Sequence, residues 1–255
     1  MTPNHPTSGI AFVTGGGGGI GGATAERLAA NGVAVAVADF NVEHATTVAD
    51  RITAAGGTAC ALALDVTDPA AVVAAVAEAE SVLGPIDQLV NTAGIFRWAE
   101  MEDISDEEFE QMFRVHVFGL HSMCRTVVPG MVARGAGAVV NVTSIHAIRG
   151  QTLTAHYSAA KGAILSYTKA LAREKSPMGI RINAVAPGPI NTPLWRGDMN
   201  PAELEQKMAD RSTVIALGRL GTADEVAAGI VFLLSPAASY LTGHIMTIDG
   251  GEVMN

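Results

Sequence analysis

Two residues of this chain could act together as an acid–base pair on a carbinol. Tyr157 and Lys161 are spaced i, i+4 in a helical stretch, which sets phenol and ammonium on one helix face. A phenol titrates near pH ~10 when unperturbed, and a neighbouring ammonium stabilises the phenolate and lowers that value. Tyr157 could then take the proton of an alcohol or give one to a ketone. The spacing alone also marks ordinary solvated helix faces. What changes the reading is Ser144, 13 residues ahead of Tyr157 at the end of a strand-like run. From there a hydroxyl could reach the substrate oxygen from the other side.

A second constellation lies near the N-terminus. Gly15 to Gly19, with Gly21 and Gly22 behind them, follow an apolar run and open a helical one. Such a turn lets backbone approach a pyrophosphate while helix N–H groups and the helix dipole hold its charge. The run fits G-x-G-x-x-G in two registers, from Gly16 or from Gly17. Asp39 ends the next apolar run, where a carboxylate can accept from adenosine ribose hydroxyls and repel a 2′-phosphate. No Lys or Arg stands in 14–22 or at Phe40-Asn41 to neutralise such a phosphate. The expected cofactor is NAD rather than NADP.

The elements that must position these groups alternate from end to end. Strands are expected at 9–13, 33–38, 58–64, 86–90, 138–142, 181–185 and 244–248. Helices are expected at 20–31, 42–55, 69–83, 105–133, 155–176 and 222–234. Strands apolar throughout are buried on both faces, as in a parallel sheet covered by helices. The expectation is an α/β fold: one doubly wound, Rossmann-like domain over 1–255, its mostly parallel sheet of about seven strands covered on both faces. In such sheets ligands sit beyond the carboxyl ends of the strands, here Thr14-Gly15, Asp39, Asp65, Asn91, Thr143-Ser144 and Pro187-Gly188.

Composition narrows the classes. The chain has 255 residues, 49% apolar and 16% charged, and its unbroken apolar runs are strand-sized, short of the ~20 residues of a membrane helix. The opening residues carry no secretory signal. A net charge of −9 argues against a nucleic-acid partner. Metal-ligand spacings are absent, so no metal is expected, and Cys60 and Cys124 read as two buried thiols of a reducing compartment. The expectation is a soluble cytoplasmic protein with a small-molecule substrate.

Over essentially its full length the sequence resembles the short-chain dehydrogenase/reductase family. The matching pieces are Thr14-Gly15-x-x-x-Gly19-x-Gly21, Asp65-Val66, Asn91-x-Ala93-Gly94, Ser144, Tyr157-x-x-x-Lys161, Asn183, and Pro187-Gly188-Pro189-Ile190-Asn191-Thr192. Thr14 settles the glycine register. The resemblance implies an NAD-dependent dehydrogenase that interconverts a secondary alcohol, such as a sugar, polyol or other polar hydroxy compound, and its ketone. It implies that Asp65 and Val66 flank the adenine and that Asn91 to Gly94 support the adenosine side. Ile20 falls within the phosphate loop. Lys161 would also hold the nicotinamide ribose, and Ile190 and Thr192 the carboxamide. It also implies a homotetramer.

Two departures stand out. Thr92 replaces a usual Asn, and His116 replaces a catalytic Asn that holds a relay water beyond Lys161. An imidazole can also bind water and pass protons, so His116 is expected to take over that role, against the alternative of a His merely satisfied in the packing. Substrate contacts are expected from Ser144, His146, Arg149, Gln151, Tyr157 and Trp195, with 193–211 as a lid. Two other readings remain: a 3-oxoacyl-thioester reductase, which Asp39 disfavours because such reductions usually draw on NADPH, and a non-catalytic NAD-binding sensor or scaffold.

Overall fold

A computed structural model describes residues 9–197 and 199–254. Seven parallel strands form one sheet: β1 (Ile10–Thr14), β2 (Ala34–Asp39), β3 (Ala59–Ala63), β4 (Gln88–Asn91), β5 (Gly137–Val142), β6 (Ile180–Pro187) and β7 (Ile245–Ile248). Their spatial order is β3-β2-β1-β4-β5-β6-β7. The order reverses between β1 and β4, the place where a doubly wound sheet opens a crevice for a ligand.

Side chains alternate across the strands and feed two cores. On one face Phe12, Leu89 and Ile182 meet α3 (Pro69–Leu83), α5 (Gly119–Arg134) and α7 (Ala155–Lys175) through Val72, Met123 and Ile164. On the other, Val13, Val37 and Val185 meet α1 (Gly19–Ala30), α2 (Val42–Ala54) and α10 (Ala223–Leu234) through Leu28, Val48 and Ile230. The sheet centre is pinned by polar bonds. Asn91 Nδ2 donates to Asn141 Oδ1 at 2.9 Å, and Asn141 Nδ2 donates to Thr168 Oγ1 at 3.0 Å. Asn183 ties β6 to the turn before β7, donating to Leu241 O and accepting from His244 N.

The structure refines three expectations. The helix expected at 105–133 is two helices, α4 (Asp106–Phe113) and α5, joined without a break by a π-helical turn at Arg114–Phe118. One extra residue in that turn rotates the register, and π turns gather at functional sites; His116 is at its centre. The segment 193–211, expected only as a lid, holds a full helix, α9 (Pro201–Ser212), capped by Asn200 and Glu203 and preceded by the single turn α8 (Pro193–Arg196). Cys124 is buried but Cys60 is only half-buried; both are free thiols.

Candidate active site

A cavity of about 820 Å³ runs along the carboxyl ends of the central strands. Gly15, Gly17, Gly18, Gly19, Ile20, Gly21 and Asp39 line one end, Ser144, Tyr157, Lys161 and His146 the other. Pro187, Gly188, Ile190 and Thr192 lie between.

The glycine turn is built by close approach. A Cβ on Gly21 would lie 2.1 Å from Gly15 O, so no other residue lets α1 start against β1. Gly17 N donates to Asp39 Oδ2 and Asn41 N to Asp39 Oδ1, both at 2.9 Å, which holds the carboxylate at the end of β2 facing the turn. Asp39 lines the cavity, and each of its oxygens can accept a further hydrogen bond. Thr14 works behind the turn: its hydroxyl donates to Val90 O and accepts from Thr92 N and Ala93 N, locking β1 to the loop after β4. A cavity of this length, with backbone N–H groups and the N-terminus of α1 at one end and a carboxylate beside them, fits a dinucleotide.

At the other end Ser144 follows β5 and precedes the single turn α6 (His146–Arg149), and Tyr157 and Lys161 come from the first turns of α7. Lys161 Nζ donates to Val142 O at 2.9 Å and lies 5.6 Å from the centre of the Tyr157 ring. Ser144 Oγ accepts from His146 N at 3.1 Å, and the same hydroxyl, beside the Tyr157 phenol, favours the phenolate. The electrostatics differ from the sequence expectation. Burial drives Tyr157 up to about 12, the opposite of the lowering expected from Lys161. Burial also drives Lys161 itself down, to about 7, so the ammonium is only part-charged near neutrality. Desolvation disfavours both charged forms and outweighs the attraction between them.

His116 is buried against this pair, its ring centre 5.5 Å from that of Tyr157. Nε2 lies 2.8 Å from Ile95 O, which can only accept, and 3.3 Å from Ile95 N; the shorter contact assigns the ring proton to Nε2. Nδ1 is then a buried acceptor without a hydrogen-bond partner. Burial, with Lys161 beside it, holds the imidazole neutral, well below its usual pKa. The loop after β4 is shaped to admit this ring: a Cβ on Gly94 would come within 2.5 Å of His116 Cε1.

Other predicted residues fall in different places. Val66, Asn91 and Ala93 line a small void behind the cavity, shared with Thr14 and His116. Asp65 turns back to accept from Thr67 N and Oγ1, at 2.8 and 2.7 Å. His146 and Trp195 line the cavity, but Arg149 and Gln151 do not. Arg149 is drawn away into an ion pair with Glu252, and Gln151 donates to Thr152. Sequence reasoning missed Glu252, a buried carboxylate that also takes Arg211 from α9. It missed Lys207 too, whose ammonium lies over the Trp98 and Trp195 rings at 4.6 and 5.5 Å. No local motif marks either residue, because their partners are distant in sequence.

Comparison with known proteins fits this geometry. A family model described as enoyl-(acyl carrier protein) reductase matches residues 15–252. The short-chain reductase protein NovJ of Streptomyces niveus is 39% identical, over 95% of this chain and 93% of that protein. Galactitol 2-dehydrogenase (L-tagatose-forming) of Cereibacter sphaeroides and cyclohexanol dehydrogenase of an Acinetobacter species are each 39% identical. In both cases 94% of this chain and 93% of the relative are covered. A crystal structure titled ribose-5-phosphate isomerase, from Brucella melitensis, superposes with a TM-score of 0.87 at 35% identity, covering 96% of this chain and 92% of that one. The chain belongs to the short-chain dehydrogenase/reductase family. It is an oxidoreductase acting on CH–OH groups.

Proposed function

We propose that this oxidoreductase, which interconverts a secondary alcohol and its ketone, uses NAD and takes Tyr157 as its general acid and base. The carrying observation is the convergence of Ser144, Tyr157 and Lys161 on one end of a cavity whose other end holds the glycine turn and Asp39. Ser144 polarises the substrate oxygen while Tyr157 exchanges its proton. Lys161, part-charged and next to the phenol, lowers the cost of forming phenolate during turnover. Thr14, Gly15, Gly19, Ile20 and Gly21 would hold the pyrophosphate side; Asp65, Val66, Asn91, Ala93 and Gly94 would support the adenosine side directly or from behind. Lys161, Pro187, Gly188, Ile190 and Thr192 would frame the nicotinamide half. When bound, NAD supplies the acceptor for the hydride.

A charge test separates the two cofactors. With Asp39→Asn, which keeps one acceptor oxygen and the shape but removes the charge, selectivity for NAD over NADP should fall at least tenfold, ~1.4 kcal/mol. Steady-state kinetics with both cofactors measure it. A wild-type enzyme that prefers NADP tenfold would overturn the NAD reading, and would favour the 3-oxoacyl-thioester reductase.

His116 is assigned the relay position as a neutral acceptor: its unpartnered Nδ1 can hold a water between Lys161 and bulk solvent. Replacing His116 by Ala should lower kcat about tenfold or more and shift its pH profile. An unchanged kcat and profile would reduce His116 to a packing residue.

The chain is further proposed to be one catalytic domain, with 193–211 as its lid and substrate contacts from Ser144, His146, Tyr157 and Trp195. A homotetramer is supported by exposed apolar side chains such as Phe118 in the π turn and Phe232 on α10. A cytoplasmic location is supported by the two free thiols. Among the described residues no helix is long and apolar enough to cross a membrane.

A further inference from the structure

The substrate end of the cavity has a wall of rings and a cation at its far edge. Phe96 stands edge-on to Tyr157 with ring centres 4.8 Å apart, and edge-on to Trp98 at the same spacing. Beyond Trp98 comes Lys207, on the inner side of the lid helix α9, its ammonium held between Trp98 and Trp195. Cation–π contacts of this kind leave an ammonium short of hydrogen-bond acceptors. Among the described residues no carboxylate lies within ion-pair distance of Lys207.

The surrounding charge is positive in a chain whose net charge is −9. Arg211, one turn further along α9, lines the cavity, and with Arg149 it shares the single buried carboxylate of Glu252. Burial, with Arg211 nearby, depresses Lys207, and burial, with both arginines nearby, depresses His146 to about 4, so the imidazole adds no charge. With Glu252 already shared between two guanidiniums, the Arg211 guanidinium on the cavity wall and the Lys207 ammonium at its edge leave an excess of positive charge beside a half-buried aromatic pocket. Buried or half-buried charge of this kind is costly unless a counter-ion arrives.

We infer that the alcohol oxidised here carries a carboxylate, bound by Lys207 at the end of the aromatic wall opposite Tyr157, with a ring or other flat apolar body between carbinol and carboxylate. This rests on the alcohol dehydrogenase reading of the same site and adds the substrate class. The ring faces of Phe96 and Trp98 suit a flat apolar body better than a hydroxylated open chain, whose hydroxyls would lose water without gaining partners. Lys207, carried by the lid, also couples capture of the anion to lid closure over the reacting carbon.

The protein contains two tryptophans, Trp98 and Trp195, and both flank Lys207, so intrinsic fluorescence reads occupancy there without turnover. The test titrates the full chain with cyclohexanecarboxylate, which has no hydroxyl to oxidise, and with cyclohexanol. The expected result is a saturable tryptophan response to the carboxylate, weakened at least tenfold in Lys207→Met and largely retained in Lys207→Arg. In parallel, kcat/KM for 4-hydroxycyclohexanecarboxylate should exceed that for cyclohexanol by at least tenfold, a ratio that collapses in Lys207→Met. A carboxylate that gives no saturable response, or one equally strong in Lys207→Met, overturns the inference. Saturable binding with no NADH from any alcohol would count against the dehydrogenase reading and leave the anion site standing.

Discussion

Replacing Tyr157 by Phe should reduce kcat for secondary alcohols by about 10² to 10⁴, the range that general acid–base groups contribute. The substitution removes one oxygen from a packed ring and leaves its contacts with Phe96, His116 and His146 in place. KM for NAD should therefore move little, which separates a lost proton acceptor from a damaged site. The direction of the pH dependence follows from the same group. Burial holds the phenol protonated up to about 12. At neutral pH it is ready to donate to a ketone, whereas alcohol oxidation must first move that proton away. Oxidation should thus accelerate as pH rises from 7 toward 10, while ketone reduction should not. Steady-state rates in both directions across that range check it. A Tyr157→Phe enzyme within a factor of about three of wild type would remove the phenol from the chemistry.

Lys161→Met should destroy activity and stabilise the fold at the same time. Lys161 is buried, its one hydrogen bond is to Val142 O, and its pKa falls from 10.5 to about 7. Below pH 7 the group is charged in both folded and unfolded chains, and the folded state bears the full cost of desolvating it. Between pH 7 and 10.5 the unfolded chain keeps a proton that the folded chain has released, so stability rises with pH across that window. Above it the cost is gone. Methionine has similar volume and no charge, so the ligand-free variant should gain about 2–4 kcal/mol near pH 6, allowing for the lost hydrogen bond. That gain should shrink steadily toward pH 10. Denaturant unfolding at several pH values measures it. A variant less stable at pH 6, or a difference flat in pH, would contradict the burial cost. Function here carries a stability penalty that a core residue would not.

The sequence made the ends of the central strands legible because uniformly apolar runs fix a parallel sheet, and such a sheet gathers its ligand at one edge. Asp39, Ser144, Tyr157 and the glycine turn stood out by residue type and by their places at strand ends, and the fold brings them to one cavity. The π turn at Arg114–Phe118 was not, because a single extra residue disappears within a 29-residue helical pattern. Nor was the upward shift of Tyr157, since desolvation is set by side chains from several elements. The fates of Arg149 and Gln151 were equally hidden. A long side chain follows its best partner, and for Arg149 that partner, Glu252, is 103 residues away. Lys207 shows the same limit from the other side: it reads as one charge on an exposed helix until the fold sets it over two tryptophans.

The hydride itself gives the most direct test. The enzyme is incubated with NAD and with the best secondary alcohol of a panel, deuterated at its carbinol carbon, and the NADH formed is weighed by mass spectrometry. The account predicts NADH carrying one deuterium from the alcohol, formed at a rate that falls at least a hundredfold in Tyr157→Phe. NADH without deuterium, or no reduction of NAD by any alcohol of the panel, would contradict it.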